Sequence, residues 1–282
     1  MGCSVTAMPE GLHIPSSPRG MDREEISRYI ANIEQEIGLG LFTPQEISLI
    51  RAALYGRFLD LRMRPFFLYH FLPLWERAIE VIFRDNPHPR VIELGCGTGT
   101  SSLLFSLLGA EVIGVDLDAD LVALCNKRAA FYRNQGCAVN ARFYSGDSLA
   151  FDFGAHAPVD AVFSLFAFNL MKPCDELLGK MVPALKPSGK IVIIDGNAGN
   201  LYARLVPSRR RPGVLTPFRM QEALEALGCA VLHMETHCCL PPFLVNHSIA
   251  GRIAVGIEQR IKDMNIYRHL GVSYTVVGER VQ

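Results

Sequence analysis

The residues best placed to do chemistry lie in one short run, Glu93-Leu94-Gly95-Cys96-Gly97-Thr98-Gly99, where the apolar segment Val91–Leu94 gives way to a helical pattern. Glycines at alternate positions let the backbone turn sharply and approach a ligand closely. The helix that follows aims its N–H groups and partial positive charge at whatever is bound. Seventeen residues past Gly99, a second apolar run ends in Asp116. A carboxylate at such a strand tip can accept both hydroxyls of a ribose. A third run ends in Gly146-Asp147, which brings another carboxylate to the same rim.

Two ligand classes share this arrangement, dinucleotides and S-adenosylmethionine. Dinucleotide loops read G-x-G-x-x-G and are built around a pyrophosphate. Here the third glycine comes one residue early, and Glu93 precedes the loop, where it would repel a pyrophosphate. An acid at that place suits a ligand carrying a sulfonium and an ammonium, so the charge of the site favours S-adenosylmethionine. The sequence resembles the class I S-adenosylmethionine-dependent methyltransferases from about Arg90 onward. The resemblance rests on Val91–Gly99, on Val115-Asp116-Leu117-Asp118, on Gly146-Asp147, and on Ala184-Leu185-Lys186-Pro187-Ser188-Gly189-Lys190, similar to the family's turn before strand five. It implies that Glu93, Gly95, Cys96, Gly97, Thr98 and Gly99 surround the methionine part of the cofactor. Asp116 and Leu117 would then hold the ribose side, Asp147 and Ser148 the adenine, and Ser164 and Phe166 would flank the site from strand four. The family's final antiparallel strand, inserted in the sheet, is likewise implied.

Strand four runs into Asn169, where the family often has a histidine. Asparagine orients a substrate by hydrogen bonds but is no general base at neutral pH. Asn169 is the candidate catalytic residue on those terms, because methyl transfer to a nucleophilic acceptor can run on positioning alone. Substrate candidates are Asn169, Tyr69 and, in the loop after strand five, Arg204 and Arg209, whose forked guanidinium groups could grip an anion. Tyr69 belongs to an aromatic run with Phe66, Phe67, Phe71 and Trp75, which reads as helix core or as an aromatic lid.

The elements that must position these residues follow from pattern. Short apolar runs at 91–94, 111–115, 141–144, 160–165, 190–194, 230–235 and 273–277 alternate with helical stretches and predict a parallel sheet. The expected fold is α/β: a Rossmann-like, mostly parallel seven-stranded sheet with helices on both faces, plus a helical N-terminal cap. The expected organisation is a flexible tail over 1–20, the cap over 21–85 and the cofactor-binding domain over 86–282. In the cap, Asp22 with Glu25, and Thr43-Pro44 with Glu46, are helix-start signals. The second of these predicts a helix to about Met63, with Pro65 breaking it. A further helical stretch is expected over 249–270.

Composition narrows the function. Of 282 residues, 28 are Lys or Arg and 28 Asp or Glu, so the chain lacks the basic excess of a nucleic-acid binder. The expected partner is a small molecule. No stretch reaches the roughly 18 uninterrupted apolar residues that span a membrane. Eight scattered cysteines without a secretory signal read as reduced, cytoplasmic thiols. No CxxC pair occurs, and His233 and His237 stand about 13 Å apart on an extended strand, so no metal site is expected. Met1-Gly2-Cys3 fits a lipidation pattern, a short one that chance often produces. Methyl transfer to a small molecule is the favoured reading. A non-catalytic S-adenosylmethionine-binding protein or partner subunit is the rival. Aminopropyl transfer wants an acid near the end of strand four, which Ser164–Met171 lacks. Neither the acceptor nor the oligomeric state is legible.

Overall fold

The computed structural model describes residues 12–15, 17–18, 21–200, 215–262, 264 and 267–281. They divide into two compact units, Met1–Asp147 and Ser148–Gln282. The expected boundary near residue 85 falls inside the first.

The first unit opens with α1 (Arg23–Gly38), α2 (Pro44–Ala52), α3 (Gly56–Leu59) and α4 (Arg64–Phe83). Their starts follow the local signals. The Asp22 carboxylate accepts from Glu25 N–H at 2.9 Å. At α2, Thr43 Oγ1 accepts from Glu46 N–H while Glu46 accepts from Thr43 N–H, a reciprocal capping box. The helix expected from 44 to about 63 is broken instead. Ala53 is extended, and Gly56 presses against the preceding turn so closely that a β-carbon there would lie 2.3 Å from the Arg51 carbonyl oxygen. The break lets buried Tyr55 reach Ser101 Oγ at 2.5 Å and pack edge-on against Trp75. Phe66, Phe67, Phe71 and Trp75 of α4 are buried among such rings, and Tyr69 is half-buried. Part of the expected tail is also anchored: Asn32, itself buried, accepts from His13 N–H at 2.8 Å and donates to its carbonyl at 2.7 Å.

The same unit then forms β1 (Arg90–Leu94), α5 (Thr100–Leu107), β2 (Glu111–Asp116), α6 (Ala119–Asn134) and β3 (Ala141–Ser145). The strands are parallel in the order β3-β2-β1. Val91, Ile92, Leu94 and Val112 are wholly buried, the near-continuous apolar run of a strand covered on both faces.

The second unit holds β4 (Val159–Leu165), α7 (Cys174–Ala184), β5 (Leu185–Gly196), α8 (Pro217–Ala226), β6 (Cys229–His237), α9 (Pro242–Val245), α10 (Ser248–Ile261), α11 (Tyr267–Leu270) and β7 (Ser273–Arg280). Its strand order is β4-β5-β7-β6, with β7 antiparallel to both neighbours. The seven strands, mostly parallel and interleaved with helices, are the Rossmann-like α/β class with the inserted antiparallel strand. Two details depart from expectation. The Leu185–Gly189 turn is the irregular start of β5, with Ser188 at φ 61° and a register shift against β4. The expected helix over 249–270 is two helices, α10 and α11.

One buried ion pair joins the helical and sheet parts of the first unit. Arg128 on α6 and Glu36 on α1 are 2 and 0 % exposed, and the guanidinium grips the carboxylate through two bonds of 2.7 and 3.0 Å. Tyr132 Oη donates to the same carboxylate at 2.8 Å. Removing one member of such a pair strands the other charge in the core, at a typical cost of about 3–5 kcal/mol. Glu36→Gln should therefore destabilise the protein by that amount in urea unfolding. An unchanged midpoint would show that the pair is not supporting the fold.

Candidate cofactor and acceptor sites

In the first unit, the glycine run leaves β1 as a tight loop. Gly95, Gly97 and Gly99 have φ of 71°, 54° and 73°, a region costly for any residue with a β-carbon. Gly99 is the N-cap of α5, so the loop ends on the N-terminus of that helix. Gly95 and Cys96 N–H donate to the Val115 carbonyl at 2.8 and 3.1 Å, which ties the loop to β2. Asp116 completes the tie: its carboxylate accepts from Gly97 N–H at 2.7 Å and from Asp118 N–H at 3.0 Å. The loop and the Asp116 carboxylate are thus held together. Leu117, next along, is 76 % exposed at the strand tip, an apolar surface beside the carboxylate. Asp147 follows β3 and is exposed on the same rim, since Asp116 pairs with Ser145 in register.

Below the loop, the second guanidinium arm of Arg128 donates to the Thr98 carbonyl at 2.6 Å and to Thr100 Oγ1 at 2.9 Å. Tyr29 Oη of α1 donates to the Thr100 carbonyl at 2.9 Å. The cradle is therefore fixed from beneath by side chains of α1 and α6, none of which carries a motif. Cys125 Sγ donates to the Gly97 carbonyl, and Cys96 is buried beside it.

Glu93 is 2 % exposed and accepts from Ser102 Oγ. Burial, more than any other influence, pushes its carboxyl up to about 8, against hydrogen bonds from Ser102 and Ser101 and with help from the Asp116 charge. A buried acid with no cation beside it among the described residues is a place for a positively charged ligand group. These features, an acidic floor, a glycine cradle and a carboxylate with an apolar neighbour at the rim, fit S-adenosylmethionine in charge and shape.

In the second unit, Ser164 is wholly buried in β4. Phe166, just past its end, sits at φ 55°, a left-handed conformation that a bulky residue adopts only when its surroundings impose it. Its N–H donates to the Ile194 carbonyl at 2.7 Å. Ser148 is buried, and Asn169 is 4 % exposed in a short 3-10 turn. Asn169 N–H donates to Asp195 at 2.8 Å, and its side-chain oxygen accepts from Leu215 N–H at 3.0 Å. Its amide nitrogen lies 3.4 Å from Tyr274 Oη and 3.5 Å from the Gly196 carbonyl. Asn169 is thus engaged with the backbone on both ends. Arg204 and Arg209 lie outside the described residues.

The sequence reading missed a cavity of about 380 Å³ beyond the end of β5, lined by Asn197, Ala198, Gly199, Thr216, Pro217, Phe218 and His269. Its walls are mainly apolar. Thr216 and Pro217 form the N-terminus of α8, and Asn197 is held by bonds to Gly271, Val272 and Gly199. Only the helix-start pair Thr216-Pro217 signalled any of this in the sequence. His269 comes to the cavity from α11, at least fifty residues along the chain from the rest of the lining.

Comparisons with known proteins agree with this geometry. A methyltransferase domain family matches residues 91–189. A demethylmenaquinone methyltransferase of Thermus thermophilus is 29 % identical over 121 residues, 42 % of this chain and 52 % of that protein. A 23S rRNA uracil methyltransferase of Acidithiobacillus ferrooxidans is 27 % identical over 125 residues, 44 % of this chain and 27 % of that one. The chain spans about half the length of the first curated relatives it matches. The crystal structure of a SAM-dependent methyltransferase from Archaeoglobus fulgidus superposes with a TM-score of 0.53 at 20 % identity, over 80 % of this chain and 99 % of that one, and shares the fold.

The Glu93 carboxyl gives a test that needs no ligand. Its folded value near 8 exceeds its ordinary 4.5, so between these pH values the folded chain holds a proton that the unfolded chain has lost. Stability from this group is full below about 4.5 and is lost as pH rises through 8. Glu93→Gln should flatten that fall, leaving the variant more stable than the parent above pH 8 in urea unfolding. A parallel pH dependence in both proteins would mean that Glu93 is ionised when folded. On these observations residues 91–189 match a methyltransferase domain, within a fold shared with S-adenosylmethionine-dependent methyltransferases.

Proposed function

We propose that the protein methylates a small, largely apolar acceptor bearing an ionisable ring hydroxyl or equivalent nucleophile. The observation that carries this reading is the mainly apolar cavity at the N-terminus of α8, with His269 at its edge. Demethylmenaquinone, the quinone in the names of several relatives, is an acceptor of this general kind. S-adenosylmethionine, when bound, supplies a methyl group made electrophilic by its sulfonium. The chain's own contribution is placement. Glu93 offers a carboxylate to the positive end of the cofactor, Asp116 accepts from the ribose hydroxyls with Leu117 beside it, and Asp147 borders the adenine. Thr216 and Asn197 orient the acceptor, the α8 N-terminus favours its anionic form, and His269 takes the proton that it releases. Asn169 acts as a positioning residue. Its hydrogen bonds to Asp195 and Leu215 fix the strand-four turn and the approach to α8.

Two measurements test the cofactor half. S-adenosylhomocysteine should bind in calorimetry while NAD does not, and Asp116→Ala should weaken binding by about 1.5–3 kcal/mol, the loss typical of a hydrogen bond to a charged group. The acceptor half is tested by release of S-adenosylhomocysteine on a panel of quinols, phenols and transcribed rRNA fragments. Turnover is expected on apolar ring hydroxyls, and His269→Gln should lower kcat about a hundredfold with little change in KM. Turnover on RNA alone would overturn the reading. Tight cofactor binding with no turnover on any acceptor would favour a non-catalytic binding protein.

A further inference from the structure

Helix α10 is turned inside out. Ile249, Ile253 and Ile257 recur every fourth residue and are 70, 61 and 54 % exposed. The side facing the protein is built from small or polar residues: Gly251 and Glu258 are buried, and Ala250, Ala254 and Val255 are half-buried. A helix resting on a globular core normally places its large apolar side chains inward. A stripe of exposed isoleucines marks a surface that meets something else.

Among the described residues of α10, the exposed charge has one sign. Glu258 is the sole acid in the α10 sequence, and it is drawn inward, accepting from Tyr267 Oη at 2.6 Å and from Cys239 N–H. Arg252 and Arg260 are exposed. The short helix α9 packs against α10 and presents Phe243, 78 % exposed, and Met264 beyond the end of α10 is 54 % exposed. On α9 and α10 the combination is apolar, aromatic and cationic, with the one carboxylate of α10 withdrawn. Its complement is a surface that is apolar beneath and anionic at the top. A water-exposed acidic protein face would satisfy the arginines and leave the isoleucines unmet.

We propose that this face docks on an anionic membrane leaflet. The helix lies in the interfacial plane, its isoleucines and Phe243 among the upper acyl chains and Arg252 and Arg260 at the headgroup phosphates. Fourteen residues suit such an element and are too few to cross a bilayer. The inference does not depend on the acceptor proposed above.

The test is co-sedimentation of the full-length protein with vesicles of phosphatidylcholine alone or of phosphatidylcholine with phosphatidylglycerol. Binding to the anionic vesicles, weakened by salt, is expected. Ile253→Ser with Ile257→Ser should lower the partition coefficient tenfold or more. Arg252→Gln and Arg260→Gln should each lower it about fivefold, the equivalent of ~1 kcal/mol per charge, and should reduce its salt dependence. All four positions are exposed, so thermal unfolding should leave the variants as stable as the parent. Absence of binding, equal binding to both vesicle types, or binding indifferent to the isoleucine changes would overturn the proposal. So would a parent dimer that the isoleucine variants render monomeric without vesicle binding, which would assign the face to a second copy of the chain.

Discussion

The buried bond between Glu36 and Arg128 is the constraint on which the first unit depends. A guanidinium that is 2 % exposed has left water almost entirely, and four of its five N–H donors are answered by the protein. The Glu36 carboxylate takes one fork, and the Thr98 carbonyl and Thr100 hydroxyl take the other two. One cation therefore fastens α1 to α6 and both to the loop between β1 and α5. The N-terminal helices are in this sense structural parts of the cofactor cradle. Asp22 and Thr43, which start α1 and α2, act on the loop at one remove.

The cradle also shows why its acid is unusual. Among the described residues no basic side chain answers Glu93, and two serine hydroxyls do not offset its burial. The contrast with Glu36 is instructive: two glutamates, both buried, one answered by a fixed arginine and one by serine hydroxyls alone. The first supports the fold, and the second is the one proposed to meet the positive end of the cofactor.

Much of this was legible in the residues. The glycine spacing, the acid before it and Asp116 after it announced the loop because local backbone demands and ligand charge are written in adjacent positions. Six of the seven strands began within a residue of their expected places; in β5, Ser188 and Gly189 belong to an irregular strand start that shifts register against β4. What stayed hidden depends on partners distant in the chain. The break at Ala53 exists because Tyr55 is needed at Ser101. The clasp around Asn169 exists because Asp195 and Leu215 converge on it. His269 reaches the cavity through a helix that looked like the tail of a longer one. The outward stripe of α10 has a normal helical period, and period alone does not say which face is inside.

The inserted strand β7 has a consequence for the order in which the chain is built. β6 is bonded to β7 and to no other strand, and thirty-five residues, 238–272, separate them. At a synthesis rate of about 5–20 residues per second, β6 leaves the ribosome roughly two to seven seconds before its neighbour exists. During that interval its edge, with Leu232 and Val231, has no strand to pair with. In the first unit the waits are shorter, since 16 residues separate β1 from β2 and 24 separate β2 from β3. Nascent-chain assembly should thus proceed in two stages, an early cradle and a late sheet edge closed by the segment that follows α11.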